Sequence, residues 1–298
     1  MNLNIKKISL KGHNSFYLRD GWLNKVFMQD DVEFLRNQIE ASDILGVGSG
    51  MVKSIKYYLS AMGLVDLARK NSPASELFNA IKLYDIYLEH FFTKYILHYN
   101  LVSNADKATT WYTFYNYVNY DEVTKEEVLE SIKATYKEAL PNSTFSIRSL
   151  SDDIDTLIKL YTKKSEKKGT PEDNLESPLA DLMLMEFDGK VIRKKTPQMG
   201  KLNEYVILYI LLSELHKNNI SSKNGWYNIS LDEIVFAPDN IGKILNLNRI
   251  DVYEYIKKLT SRNDIELHET AGLDQLYIRE GLTKENVFIS YFEEINNV

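Results

Sequence analysis

The sequence has no cysteine, which excludes disulfides and thiolate-held zinc. Its opening, "MNLNIKKISLKGHNSF", lacks the apolar core of a secretory signal. The longest apolar stretch, "YVILYILLSEL", is shorter than the roughly 20 residues a bilayer-spanning helix needs. The five histidines (His13, His90, His98, His216 and His268) form neither a His-x-His nor a His-x-x-x-His pair. No Asp followed by Glu-x-Lys at convincing nuclease spacing stands out, and no repeat or low-complexity tract covers the chain. These absences predict a cytoplasmic protein with no membrane association and no self-evident catalytic motif.

What is present suits a globular chain with a sizeable core: 298 residues, 44% hydrophobic and 26% charged. The net charge is -6, which argues against a general polyanion binder. The distribution is uneven, however. Residues 1–72 carry ten Lys and Arg against seven Asp and Glu, whereas the remainder carries 26 against 35. A mildly basic N-terminal module on an acidic body fits local DNA contact better than whole-surface attraction.

Three segments are expected: 1–72, a helix-turn-helix or winged-helix unit; 73–187, a helical middle domain; and 188–298, a winged-helix-like domain. The fold class is mainly α with small β wings. Pro73, in "RKNSPAS", marks the first boundary. In the middle segment Leu77, Ile81, Tyr84, Leu88 and Phe91 recur at helical spacing. Thr124 with Glu127 reads as a capping box, and Ser151 or Asp152 as the cap of the following helix. The dense aromatics of "TTWYTFYNYVNY" have helical spacing, which favours a packed core helix over a single-strand stacking platform. The C-terminal order of helix, turn, helix, strand, turn and strand is that of a winged helix, with Ala271 and Gly272 at the hairpin corner.

Two helix pairs compete for a DNA-reading role. In "ASDILGVGSGMVKSIKYYLSAMGLV" the glycines of Gly46-Val47-Gly48 let two helices meet at a tight corner. The second helix starts near Ser49 and stops at Gly63. Val52, Ile55, Leu59 and Met62 form its apolar stripe, and Ser49, Lys53, Lys56 and Ser60 a second one flanked by Tyr57. Two hydroxyls and two cations on one face suit phosphate oxygens and base edges; the alternative is a solvated face. In the C-terminal pair, Val252, Tyr255, Ile256 and Leu259 face inward, while Asp251 and Glu254 would repel phosphate. That unit reads as a protein-contact or dimerisation element.

Further candidates are weaker. His13 shares a run with Arg19, Trp22 and Lys25; a general base, a phosphate contact and a buried hydrogen-bonding histidine all fit it. Arg19 suits a bidentate phosphate contact or an internal carboxylate partner. Asp152, Asp153 and Asp155, or Glu172 and Asp173, offer hard oxygen donors for magnesium or manganese, or a helix cap and a solvated loop. Lys190, Arg193, Lys194, Lys195 and Lys201 track a phosphate backbone or form a basic loop or hairpin.

Several stretches together resemble a bacterial family known by a domain of unknown function, whose members include the SspB-like proteins of DNA phosphorothioation and anti-phage defence. The family's Gly-His-Glu-Thr-Phe, Leu-Arg, Gly-Trp-Leu run appears as "GHNSFYLRDGWLNK", with Asn14 and Ser15 departing from it. Its Leu-Gly-Val-Gly, Met-Val, Ser-Ile run appears as "LGVGSGMVKSIKYYL", with Ser49 where a lysine is common. "DDIDTLIKLY", "EDNLESPLADLMLM" and "ETAGLDQLYI" follow in family order. The resemblance implies a DNA-directed role in sulfur modification of the backbone, with nicking that opens the strand for sulfur insertion. It also implies partners: a cysteine desulfurase, an iron-sulfur ATPase-like protein and an ATP-pyrophosphatase-type enzyme. The other reading is a non-catalytic winged-helix adaptor that brings such enzymes to DNA. A homodimer is expected, since paired helix-turn-helix units bind two half-sites.

Overall fold

The computed structural model describes residues 3–71, 73–164, 174–269 and 274–296. The chain divides into two compact units, 1–195 and 196–298. The first two segments read from the sequence share one core within the first unit.

That unit begins with an extended arm, then α1 (Trp22–Phe27), a 3-10 turn (Glu33–Arg36), α2 (Gln38–Leu45) and α3 (Ser49–Ala61). The helix-turn-helix forms for local reasons. Asn37 caps α2 by accepting from the Ile39 and Glu40 amides. Gly46, at φ 60, closes α2 in the left-handed region. Gly63, at φ 69, ends α3 with Leu64 N donating to Leu59 O (2.8 Å) and Gly63 N to Ser60 O (3.2 Å), the paired bonds of a Schellman stop. Val52, Ile55, Leu59 and Met62 are fully buried, as their spacing predicts. At the boundary expected at Pro73 the chain instead pairs with the end of the preceding segment: Val65 bridges Ala74, and Asp66 N donates to Pro73 O at 2.8 Å.

The unit continues with α4 (Glu76–Tyr84), α5 (Phe91–Val102), α6 (Thr109–Tyr117), β1 (Glu122–Thr124), α7 (Lys125–Ala139) and α8 (Ile147–Tyr161). A 3-10 turn (Pro178–Leu182), β2 (Met185–Phe187) and β3 (Val191–Lys194) complete it. The apolar periodicity from Leu77 to Phe91 is interrupted between α4 and α5. Buried Asp85 accepts from the Glu89 and His90 amides at 2.8 and 3.2 Å, and Leu88 turns to φ 54. A carboxylate that captures amides four and five residues ahead starts a new helix rather than continuing the old one. Every residue of α6 is buried, so its aromatics are core. The Thr124–Glu127 capping box is present. The cap of α8 is Ser146, which accepts from the Ser149 amide, not Ser151 or Asp152. The earlier hydroxyl reaches the helix first, leaving the aspartates inside it. The strands form an antiparallel sheet in the order β1-β3-β2, with Val123 opposite Ile192 and Phe187 opposite the same residue.

The second unit runs α9 (Glu204–Lys217), β4 (Trp226–Ser230), α10 (Leu231–Phe236), α11 (Ile241–Ile244), α12 (Arg249–Leu259), β5 (Ile265–His268), β6 (Gln275–Arg279) and α13 (Lys284–Asn296). Its sheet order is β4-β6-β5, with every pair antiparallel, and its helices and strands follow in the order read from the sequence. The corner assigned to Ala271 and Gly272 lies outside the described residues. The α10–α11 corner is tight: a Cβ on Gly242 would sit 2.2 Å from the Val235 carbonyl oxygen. Gly242→Ala is expected to destabilise this unit by about 3 kcal/mol, since backbone cannot yield as a flexible side chain does; a melt of the variant against wild type measures it.

Candidate nucleic-acid interface

The exposed face of α3 forms one wall of a groove of about 450 Å3. The arm before α1 supplies Lys7, Ser9, Leu10 and Gly12, and the start of the α5–α6 region adds Asp106 and Lys107. The arm is fixed in place. Ser9 N donates to Thr109 Oγ1 (3.0 Å) and Ser9 Oγ to Asp106 O (2.6 Å). Lys11 N donates to Asp153 Oδ1 at 2.8 Å.

Lys53, Lys56, Tyr57 and Ser60 all line the groove, so the stripe inferred from spacing is one surface. Ser49, exposed at the first position of α3, lies beyond the groove lining. The lining holds four lysines (Lys7, Lys53, Lys56 and Lys107) against one aspartate, Asp106, on a chain of net charge -6. Lys7 and Lys53 are exposed with no ion-pair partner among the described residues. Lys56 Nζ donates to Gln38 Oε1 at 3.2 Å, and partial burial lowers its pKa. A phosphate seated beside it would offset that desolvation. Lys107 Nζ donates to Ser60 Oγ.

Beneath Tyr57 lies a buried polar cluster. His13 and Asp153, both weak candidates on sequence, meet there: His13 Nε2 donates to Asp153 Oδ1 at 2.9 Å with both side chains inaccessible. Asp153 Oδ2 accepts from Thr110 Oγ1 at 2.7 Å. The His13 ring stands edge-on to Tyr57 (5.9 Å between centroids) and Trp111 (5.5 Å). Gly12 packs so closely that a Cβ there would lie 2.5 Å from the Tyr57 ring. Burial holds the Tyr57 phenol well above its ordinary pKa, so it is a neutral hydroxyl at pH 7.

The other candidates are dispersed. Arg19 is 6% exposed, with its guanidinium 5.6–5.8 Å from the rings of Phe16, Tyr17 and Trp22. Lys25 Nζ donates to Leu45 O at 2.8 Å, closing the end of α2. Arg193 and Lys194 of the basic run lie on a hairpin strand with Lys195 just after it, and these three cations are engaged. Arg193 pairs with Glu122 (3.0 Å) and Asp188 (2.8 Å), and Lys195 with Glu186 (3.5 Å). Lys194 is buried and donates to Phe114 O at 2.8 Å and to Val118 O. Asp152 pairs with Lys11 (2.7 Å), and Asp155 with Lys125. Glu172 and Asp173 lie outside the described residues. Among the described residues no three His, Asp or Glu side chains gather as a metal-binding group. The donor set around Asp153 does not fit magnesium or manganese either, since its oxygens already accept from an imidazole, an amide and a hydroxyl.

Lys7 and Lys107 carry no sequence signal linking them to α3; only the folded arm and the α5–α6 connection bring them there. Several surface carboxylates of the first unit are held below their ordinary range. Asp152 is lowered by its hydrogen bond from Lys11, Asp188 by the Val191 amide and Glu127 by the Thr124 amide. A lowered folded-state pKa adds stability that is complete above the unfolded value, near about 4, and is lost as pH falls through the folded one. The first unit is therefore expected to lose stability progressively below about pH 4, with a shallower loss in Asp152→Asn, as read from urea unfolding at several pH values.

The family described as "Protein of unknown function (DUF4007)" matches residues 10–292. Among solved structures, a magnesium ion-bound SspB crystal structure aligns with a TM-score of 0.80 at 22% identity, covering 98% of this chain and 88% of that one. A second SspB crystal structure aligns with a TM-score of 0.79 at 22% identity and the same coverage. The chain thus has the SspB fold, mainly α with small β wings. No curated protein matches it. No helix among the described residues is long and apolar enough to cross a membrane.

Proposed function

The chain belongs to the DUF4007 family, and on that premise we propose that it is a DNA-binding component of a bacterial phosphorothioation defence system. It holds backbone phosphates in the groove of α3. The observation that carries this reading is the charge of the groove: four lysines against one aspartate on an otherwise acidic chain. Phosphate contacts from such side chains position a protein on a strand without reading its sequence. Partner enzymes of the system, the desulfurase, the iron-sulfur ATPase-like protein and the ATP-pyrophosphatase-type enzyme, would then act on the strand it presents. A homodimer would present two such grooves.

The resemblance also supports nicking by this chain. The placement of its candidate groups favours binding over cutting. A general base must reach the proton it takes, within about 3 Å or through one water, and His13 and Asp153 are sealed beneath Tyr57. Tyr57 itself is a poor nucleophile while its phenol stays protonated. A supercoiled-plasmid assay with magnesium, with manganese and with EDTA separates the two. Plasmid bound but left supercoiled is the expected result. Metal-dependent open circles, lost in a Lys53→Glu/Lys56→Glu variant, would overturn the binding-only role and establish a nickase.

A further inference from the structure

Phosphate oxygens ask for donors and cations, and a groove that served only them would be polar throughout. This one is not. Between its lysines the accessible lining is apolar, Leu10, Tyr57 and Leu67, backed by the buried Leu35, Leu59 and Val65. Leu35 and Leu59 have no exposed surface, while Leu10 and Leu67 are half-buried and open to the groove. The volume, about 450 Å3, lies within the range of about 300–1,000 Å3 typical of small-ligand sites. The occupant must therefore combine a compact body with apolar faces and flanking negative charge. In a duplex the base faces are stacked and hidden, and only phosphates and groove edges are presented. An unpaired nucleotide presents both.

We propose that the groove takes an unpaired nucleotide of a DNA strand, its base against the accessible apolar surface of Leu10, Leu67 and Tyr57 and its flanking phosphates on Lys7, Lys53, Lys56 and Lys107. The inference rests on the reading of this groove as the DNA interface and adds what enters it. Single-stranded or locally opened DNA is then the preferred ligand. A free nucleotide shares the chemistry of the base and one phosphate but reaches fewer of the lysines.

The test is fluorescence anisotropy with the full chain, comparing a labelled mixed-sequence single strand, a blunt duplex of equal length and adenosine 5′-monophosphate as competitor, all at one salt concentration. The expected result is a single strand bound about tenfold or more tightly than the duplex, as burying one base against apolar side chains implies, with the mononucleotide competing only weakly. Leu67→Lys distinguishes a base floor from a phosphate track. It adds a cation, so a phosphate track would gain affinity for both DNAs, whereas a base floor loses its single-strand preference. Circular dichroism confirms that this half-exposed position tolerates the change. Equal affinity for the two DNAs, with both lost in Lys53→Glu/Lys56→Glu, would overturn the inference and leave the DNA interface standing. Binding of neither DNA would overturn both. A mononucleotide that displaces the single strand at a similar concentration would overturn it in favour of a free-nucleotide site.

Discussion

Lys53→Glu combined with Lys56→Glu is expected to weaken DNA binding about a hundredfold at moderate salt. Each lysine lost from a phosphate removes a charge-assisted contact of about 1.5 kcal/mol or more, and two such losses multiply to that factor. The salt dependence should change with it. Each neutralised phosphate contributes about 0.9 to the slope of log K against log salt on a duplex, so the double variant should lose about 2 from that slope. Both positions lie on the open face of α3, Lys53 exposed and Lys56 half-buried, while the apolar stripe behind them is untouched. The variant should therefore melt like wild type. A matched control is Lys257→Glu with Lys258→Glu on α12, two exposed lysines of the second unit. That pair is expected to leave affinity within about twofold of wild type, because Asp251 and Glu254 share the helix.

The second large effect concerns stability. Asp153→Ala is expected to cost about 3–5 kcal/mol, the range seen when one partner of a buried pair is removed. Three donors converge on that carboxylate: His13 Nε2 at 2.9 Å, Lys11 N at 2.8 Å and Thr110 Oγ1 at 2.7 Å. His13 Nε2 would be left buried without an acceptor, the part-buried Lys11 amide would lose its partner, and Thr110 Oγ1 would keep only the Tyr136 hydroxyl at 3.3 Å. The residue ties the arm to α6 and α8, so its loss should also release the arm that forms one side of the groove. Thermal melting reads the first consequence, and amide exchange at residues 9–13 reads the second. Asp153→Asn keeps one acceptor oxygen and should fall between the two. A wild-type melt from Asp153→Ala would mean that the cluster is incidental to the fold.

The local elements of this fold were legible because their causes are local. The turn at Gly46, the stop at Gly63, the stripe on α3 and the Thr124 capping box each depend on residues within a few positions of one another. The C-terminal order of helices and strands was readable for the same reason. Features that depend on distant pairs were not. Asp85 breaks a periodicity that looks continuous, and only its buried hydrogen bonds to the Glu89 and His90 amides reveal the break. The basic run at Arg193, Lys194 and Lys195 reads as a free cationic loop until Glu122, Asp188, Glu186 and the carbonyl ends of α6 are found against it. Arg19 suited either a phosphate contact or an internal carboxylate partner, and its guanidinium lies among aromatic rings. Half of the groove's lysines, Lys53 and Lys56, were visible as a helical stripe. Lys7 and Lys107 join them only through the arm's attachment to Thr109 and Asp153, which are about 100 and 142 residues along the chain from their partners.

Lysine acetylation footprinting of the full chain, with and without DNA and read by mass spectrometry, tests the location of the interface most directly. Protection by DNA at Lys7, Lys53, Lys56 and Lys107, with Lys195, Lys257 and Lys258 modified equally in both states, is the predicted result. Protection centred on Lys257 and Lys258, with the four groove lysines unchanged, would contradict the account and move the DNA to the second unit.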